Sequence, residues 1–173
     1  MSADIKVRDM SMNDIPAVSK LESEIFDSPW SEDTFRHELR LAPRAVYLVA
    51  EVEGRLLGYL GSQLVGREVH MTNMAVAPGF RRRGIGTALM RECIRRAPVV
   101  GAGYLSLEVR EGNREAREFY RLFGFHELGL RKGYYADSGE DAVIMTTGDV
   151  LSPDYRSWLT GLDPPGSQRE GDG

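Results

Sequence analysis

The stretch FRRRGIGTALM, residues 80–90, decides how the rest of the chain is read. Three arginines run into Gly84-Ile85-Gly86, and an apolar helical pattern follows, with Ile85, Ala88, Leu89 and Cys93 on one side. A helix start leaves backbone N–H groups unpaired and carries partial positive charge. Glycines there let a ligand approach the backbone closely. Together they make an anion site, most naturally one for phosphate. The pattern is not a P-loop, because no Gly-Lys-Ser/Thr follows. It is not the dinucleotide fingerprint either, because Leu89 stands where the third glycine belongs. On charge and glycines alone, a plain helix start after a basic turn fits equally well.

Outward from this stretch, the chain alternates short strands and helices. IKVRDM reads as a strand, SMNDIPAVSKLESEIF as a helix capped by Ser11 or Asn13, and EDTFRHELRL as a second helix capped by Ser31. AVYLVAEV and RLLGYLGSQLV flank Glu53-Gly54, a hairpin turn. HMTNMAVAP is a further strand, ended by Pro78-Gly79. After the glycine-rich helix come the strand YLSLEVR, the helix REAREFYRLF capped by Asn113 and stopped by Gly124, and a final hairpin. That hairpin runs FHELGLRKGYY and DAVIMTTGD around residues 137–140. The order is β-α-α-β-β-β-α-β-α-β-β. The fold class is mixed α/β (α+β), with a mostly antiparallel sheet flanked by helices.

The bulk numbers agree with one soluble domain. There are 173 residues, 42% apolar and 28% charged, with net charge −4. That charge disfavours direct nucleic-acid binding. The one cysteine, Cys93, excludes an internal disulfide. His37, His70 and His126 form no metal-ligand spacing and are assigned no chemistry, so no metal is expected. No apolar run nears the roughly 20 residues of a membrane helix, and no signal peptide is legible, so the location expected is cytoplasmic. Residues 1–148 are expected to form the domain. Residues 149–173 form an acidic tail with five acids and two arginines, and DPPGSQREGDG has a disordered composition.

Arg81-x-x-Gly84-x-Gly86, after MTNMAVAP and before an apolar helix, resembles the pyrophosphate loop of the GNAT N-acetyltransferases. The resemblance covers roughly residues 4–147, and the element order is similar. Within that superfamily the chain looks most like the RimI family, the bacterial ribosomal-protein-alanine N-acetyltransferases. SPWSEDTF (28–35), LEVREGNREAREFYRLFGF (107–125) and KGYYADSGEDAVIM (132–145) carry that likeness. The resemblance implies a GNAT fold and acetyl-CoA as co-substrate. It implies direct acetyl transfer, without an acyl-enzyme, to the N-terminal α-amine of a protein, such as a ribosomal protein.

It also implies roles for particular residues. Arg81, Arg82, Arg83, Gly84, Ile85, Gly86 and Thr87 match the pyrophosphate loop. Met74, Ala75 and Val76 match a splayed strand whose backbone holds the pantetheine arm and the acetyl group, and Asn113 matches a cofactor contact. Glu108 matches the general base. On residues alone the commoner reading is an ordinary polar-face glutamate on an exposed strand, and the resemblance reverses this; burial is expected to raise its pKa. Tyr120 matches the general acid, since a phenol stays protonated at neutral pH. Phe26, Pro29, Trp30, Tyr134 and Tyr135 match the walls of a peptide channel, although Trp30 is as good an anchor for its loop. The alternatives are a GNAT enzyme for a small-molecule amine or a lysine side chain, or a non-catalytic acyl-CoA-binding domain. Cys93, on the inner helix face, is expected to be core rather than a nucleophile.

Overall fold

The computed structural model describes residues 4–41 and 45–161. Strands β1 (Ile5–Asp9), β2 (Tyr47–Val52), β3 (Arg55–Val65), β4 (Glu68–Val76), β5 (Tyr104–Arg110), β6 (His126–Arg131) and β7 (Ala142–Thr146) form one sheet. Its order is β1-β2-β3-β4-β5-β7-β6. Every neighbouring pair is antiparallel except β4–β5. A parallel pair needs a long crossover, and helix α3 (Ile85–Arg96) supplies it. The other helices are α1 (Ile15–Ile25), α2 (Glu32–Arg40), α4 (Arg114–Arg121) and α5 (Pro153–Gly161). The expected order is present, with α5 added at its end. No helix among the described residues is long and apolar enough to cross a membrane.

Strand alternation explains why both faces of the sheet are covered. In β2, Leu48 and Ala50 point to one side and Tyr47 and Val49 to the other, and all four are buried. The first side packs under α3, through Ile85, Leu89, Met90, Cys93 and Ile94, and takes in Phe119 and Phe123 near α4. The second packs under α1 and α2, through Ile15, Val18, Leu21 and Phe35. Gly58 in β3 sets how closely α3 approaches. A Cβ there would lie 2.9 Å from Ile85 Cγ2, 3.2 Å from Leu89 Cδ1 and 3.2 Å from the Ala75 carbonyl oxygen.

Local signals mostly hold. Glu53 and Gly54 both take positive φ (51° and 76°), as a tight two-residue hairpin turn requires. The Ser31 hydroxyl accepts from Thr34 N at 3.1 Å and caps α2. The first helix begins as a single 3-10 turn over Met12–Asp14. There the Asp14 carboxylate, rather than an Asn13 cap, accepts from Ser11 N at 2.7 Å. The last hairpin departs from expectation. Its first strand ends at Arg131 instead of running through Tyr135, because Gly133 takes φ 62° and turns the chain. Residues 132–141 then form a long loop beside the site. The first part of the tail folds back onto the body: α5 docks through Tyr155, whose hydroxyl donates to the Phe123 carbonyl at 2.7 Å, with Leu159 against the core. The stretch 163–173, expected to be disordered, lies outside the described residues.

Gly58→Ala is expected to cost about 1–3 kcal/mol through overpacking. This would be read as a lower denaturant midpoint at unchanged slope, and an unchanged midpoint would contradict the α3–β3 contact. Cys93 is fully buried, and burial pushes its thiol up to about 12. A thiol reagent should therefore find no group in the native protein and one after denaturation. Free-thiol reactivity in the native state would contradict this placement.

Candidate active site

One break in the sheet creates the cleft. The parallel β4–β5 ladder runs only from Glu68↔Tyr104 to Met71↔Leu107. On the other side of β4 the β3 ladder shifts register at the same level: Ser62 faces Met71 and Gly61 faces Asn73, leaving Thr72 as an inserted residue. A bulge bends its strand and ends regular pairing. Past Met71, β4 and β5 diverge, and residues 72–76 have no strand partner on the β5 side. The opening leads into a cleft of about 800 Å³.

At one end of the cleft lies the start of α3. Gly84, its N-cap, takes φ 87°, and no side chain caps the helix. No acidic residue occupies the first turn. Arg82 takes φ 62°, a left-handed conformation uncommon outside glycine, so the loop curls tightly before the helix begins. Gly84, Ile85, Gly86 and Thr87 line the cleft with Arg81 and Arg82. Unpaired N–H groups, the helix dipole and two guanidiniums thus converge on one anion-binding surface. Arg83 does not line it. Its guanidinium sits 5.2 Å from the centre of the Phe80 ring.

The throat lies between Met74, Ala75 and Val76 on one side and α4 on the other. Asn113 lines it and also caps α4, its side chain accepting from Ala116 N at 3.1 Å. Tyr120 lines it too, its ring edge-on to Phe119 at 5.5 Å. Burial, helped by nearby Tyr135, pushes its hydroxyl up to about 12, so it holds its proton at any ordinary pH.

Glu108 does not line the cleft itself, whereas its neighbours Val109 and Arg110 do. Its carboxylate is held from several sides. His70 Nε2 lies 3.0 Å from Oε2, Arg131 Nε lies 3.4 Å from Oε1, and the nearby Tyr134 hydroxyl adds a weaker stabilisation of the charged form. The expected upward pKa shift is therefore corrected. The His70 hydrogen bond outweighs desolvation and holds the carboxyl below the usual range, with His70 and Arg131 charges adding to it. His70, given no role from sequence, is drawn in from the other strand. Its Nδ1 lies 2.8 Å from Ser106 Oγ, and Ser106 in turn donates to Glu68. The parallel register sets His70 beside Ser106, and Glu108 follows two residues on, on the same face.

The far rim is formed by the 132–141 loop and the α1–α2 connection. The Tyr134 and Tyr135 rings meet edge-on at 5.1 Å, and both line the cleft. The Arg110 guanidinium lies 4.0 Å from the Tyr135 ring centre and bonds Asp137 at 2.8 Å, pinning the loop to the end of β5. Phe26 lines the opposite wall, whereas Pro29 and Trp30 do not. The Trp30 ring packs on Phe35 at 5.3 Å, and its backbone N–H reaches toward the buried Glu22 carboxyl at 3.5 Å. Tyr59 and Asn73 also donate to Glu22. This buried network ties α1 to the cleft wall at Asn73, and sequence reading missed it.

Comparison with known proteins agrees with this geometry. Residues 15–125 match the model of the acetyltransferase (GNAT) family. The chain is 42% identical over 145 residues to a putative [ribosomal protein bS18]-alanine N-acetyltransferase of Bacillus subtilis, covering 84% of this chain and 96% of that protein. It is 33% identical over 141 residues to the [ribosomal protein bS18]-alanine N-acetyltransferase of Escherichia coli K12, covering 80% and 94%. The crystal structure of the Escherichia coli ribosomal-protein-S18-alanine N-acetyltransferase superposes with TM-score 0.78 at 30% identity, over 86% of this chain and 96% of that one. The fold also matches Arabidopsis thaliana Naa50 in complex with a bisubstrate analogue, with TM-score 0.74 at 16% identity over 86% and 99%. An anion-binding helix start opening into a splayed parallel strand pair, found in a chain with these relatives, identifies a member of the GNAT family and an acetyl-CoA-dependent N-acetyltransferase.

Proposed function

We propose that the chain acetylates the N-terminal α-amine of a protein, of the kind its relatives' names give: an alanine-starting ribosomal protein. The observation that carries this reading is the two-ended cleft. One end is built for a diphosphate. The other is walled by Phe26 and the Tyr134–Tyr135 pair, leaving room for an extended peptide. Such a substrate fits a cytoplasmic location. On the same reading, residues 1–148 are the catalytic domain and 149–173 an appended tail.

The site fits acetyl-CoA on the donors it offers. Residues 82–87 and Arg81 would take the diphosphate through backbone N–H groups and guanidinium charge. Met74, Ala75 and Val76, lacking a strand partner toward β5, have backbone groups available to the pantetheine arm and to the thioester carbonyl. Asn113 stands at the throat as a further polar contact. When bound, acetyl-CoA supplies an activated acyl carbon and a thiolate leaving group.

The chain's own groups would manage the protons. An α-amine has a pKa of about 8, so an appreciable fraction is already neutral at physiological pH. Glu108 takes the proton that the amine sheds on attack, reached through the Tyr134 hydroxyl or a water. Tyr120 is protonated throughout this range and donates to the departing sulfur. Direct transfer needs no enzyme nucleophile, which accords with the burial of Cys93.

Alanine-starting peptides should be acetylated, and free amines and polyamines should not. Activity confined to small amines would overturn the acceptor assignment. Tyr120→Phe should lower kcat by about 10²-fold or more, leaving acetyl-CoA affinity by calorimetry nearly unchanged. Full activity in that variant would remove the acid role.

A further inference from the structure

Glu108 as found is a poor base. His70 and Arg131 hold its carboxyl below the usual carboxylate range, so on its own it would return a captured proton at once. The geometry around it suggests where the proton goes. Ser106 spends its hydroxyl proton on Glu68, so Ser106 Oγ faces His70 Nδ1 as an acceptor at 2.8 Å. That fixes the neutral imidazole with its proton on Nδ1, because a neutral ring carries only one N–H. Nε2 then presents a lone pair to Glu108 Oε2 at 3.0 Å. Two acceptors at that distance repel unless a proton lies between them.

We propose that Glu108 and His70 act as one proton-accepting dyad, with His70 the positioning residue that holds the proton Glu108 takes from the attacking amine. This rests on Glu108 being the base of the reaction. The step is proton transfer alone. The amine N–H bond breaks, the proton passes through the Glu108 carboxylate, and an N–H bond forms at His70 Nε2. A carboxylate with neutral imidazole becomes a carboxylate with imidazolium, and the proton leaves to solvent before the next turnover.

The groups facing His70 from every side favour this role. Glu108 on β5, first through its hydrogen bond and then through its charge, raises the imidazole above its ordinary value, and Glu68 on β4 adds to this. Burial and Arg131 on β6 oppose it without reversing it. The protonated pair is therefore the resting form at lower pH, and the accepting form appears as pH rises through the pair's titration, above 6.5. A base whose pKa lies above that of an isolated carboxylate is better matched to an α-amine.

The test is kcat against pH at saturating acetyl-CoA and alanine-starting peptide, for the wild type, His70→Gln and Glu108→Gln. His70→Gln keeps a donor for Glu108 but cannot carry the proton. Its kcat should fall about 10-fold or more with KM within about twofold, and the rise of kcat above pH 6.5 should disappear. Wild-type kcat and pH profile in His70→Gln, with Glu108→Gln impaired, would overturn the dyad and leave the base assignment standing. Full activity in Glu108→Gln would overturn the base assignment and the dyad with it. NMR titration of His70 probes the pair directly, without turnover. A wild-type midpoint above 6.5 that drops in Glu108→Gln supports the dyad, and a wild-type midpoint at or below 6.5 overturns it.

Discussion

The whole site depends on where two parallel strands stop sharing hydrogen bonds. Up to Met71↔Leu107, β4 and β5 are an ordinary ladder. Thr72, inserted opposite Gly61–Ser62, then bends β4 away. Had the ladder continued, the backbone groups of residues 72–76 would be satisfied by β5, and Val109 and Arg110 would be closed against them. Because it stops, peptide groups are left for a ligand without disturbing the core, whose two halves are packed by α3 and by α1–α2. Gly61 belongs to the same device. A Cβ there would come within 2.5 Å of Asn73 Oδ1 and 2.8 Å of the Tyr47 ring, so the bulge needs a residue with no side chain opposite it.

The charges divide the cleft by function. At the α3 end, positive charge is fixed in the backbone as well as in Arg81 and Arg82; the first helical turn holds no carboxylate, and the exposed Glu115 of α4 faces Arg82 at 3.7 Å without reaching the backbone groups. At the opposite end, acids and bases are paired off: Glu108 with His70 and Arg131, and Arg110 with Asp137. The first arrangement leaves unsatisfied donors and invites an anion. The second leaves little net field beside the aromatic walls formed by Phe26 and the paired tyrosines. Tyr120 stands between the two ends, and burial, with a smaller contribution from Tyr135, keeps its proton in place.

Legibility from sequence followed the range of the interaction. Element order, the Glu53–Gly54 turn, the Ser31 and Asn113 caps and the glycine-rich helix start are all local, set within a few residues, and they were readable. Resemblance supplied the functional labels of Glu108 and Tyr120, which no local pattern could. The missing parts depend on register. His70 reaches Glu108 only because β4 and β5 pair with His70 opposite Ser106, and nothing in HMTNM or YLSLEVR announces that offset. For the same reason the direction of the Glu108 shift was misjudged: burial was foreseeable, its partners were not. Glu22, buried with Tyr59 and Asn73 as donors, drew no notice within the helical pattern of SMNDIPAVSKLESEIF, because its partners lie on distant strands. Arg83 and Trp30 looked available to a ligand, but Phe80 and Phe35 engage them, and a one-dimensional pattern cannot show which ring a side chain will meet.

Helix α5, the last element among the described residues, leans on the turn that ends α4. Tyr155 anchors to the Phe123 carbonyl, and a Cβ at Gly124 would strike the Tyr155 ring at 3.0 Å and the Trp158 ring at 3.2 Å. The same short helix α4 carries Tyr120. Helix α5 therefore acts as a brace on the cleft wall that carries Tyr120, and a fusion partner, affinity tag or protease cut placed against it would be mechanically connected to that side chain rather than hanging free of it.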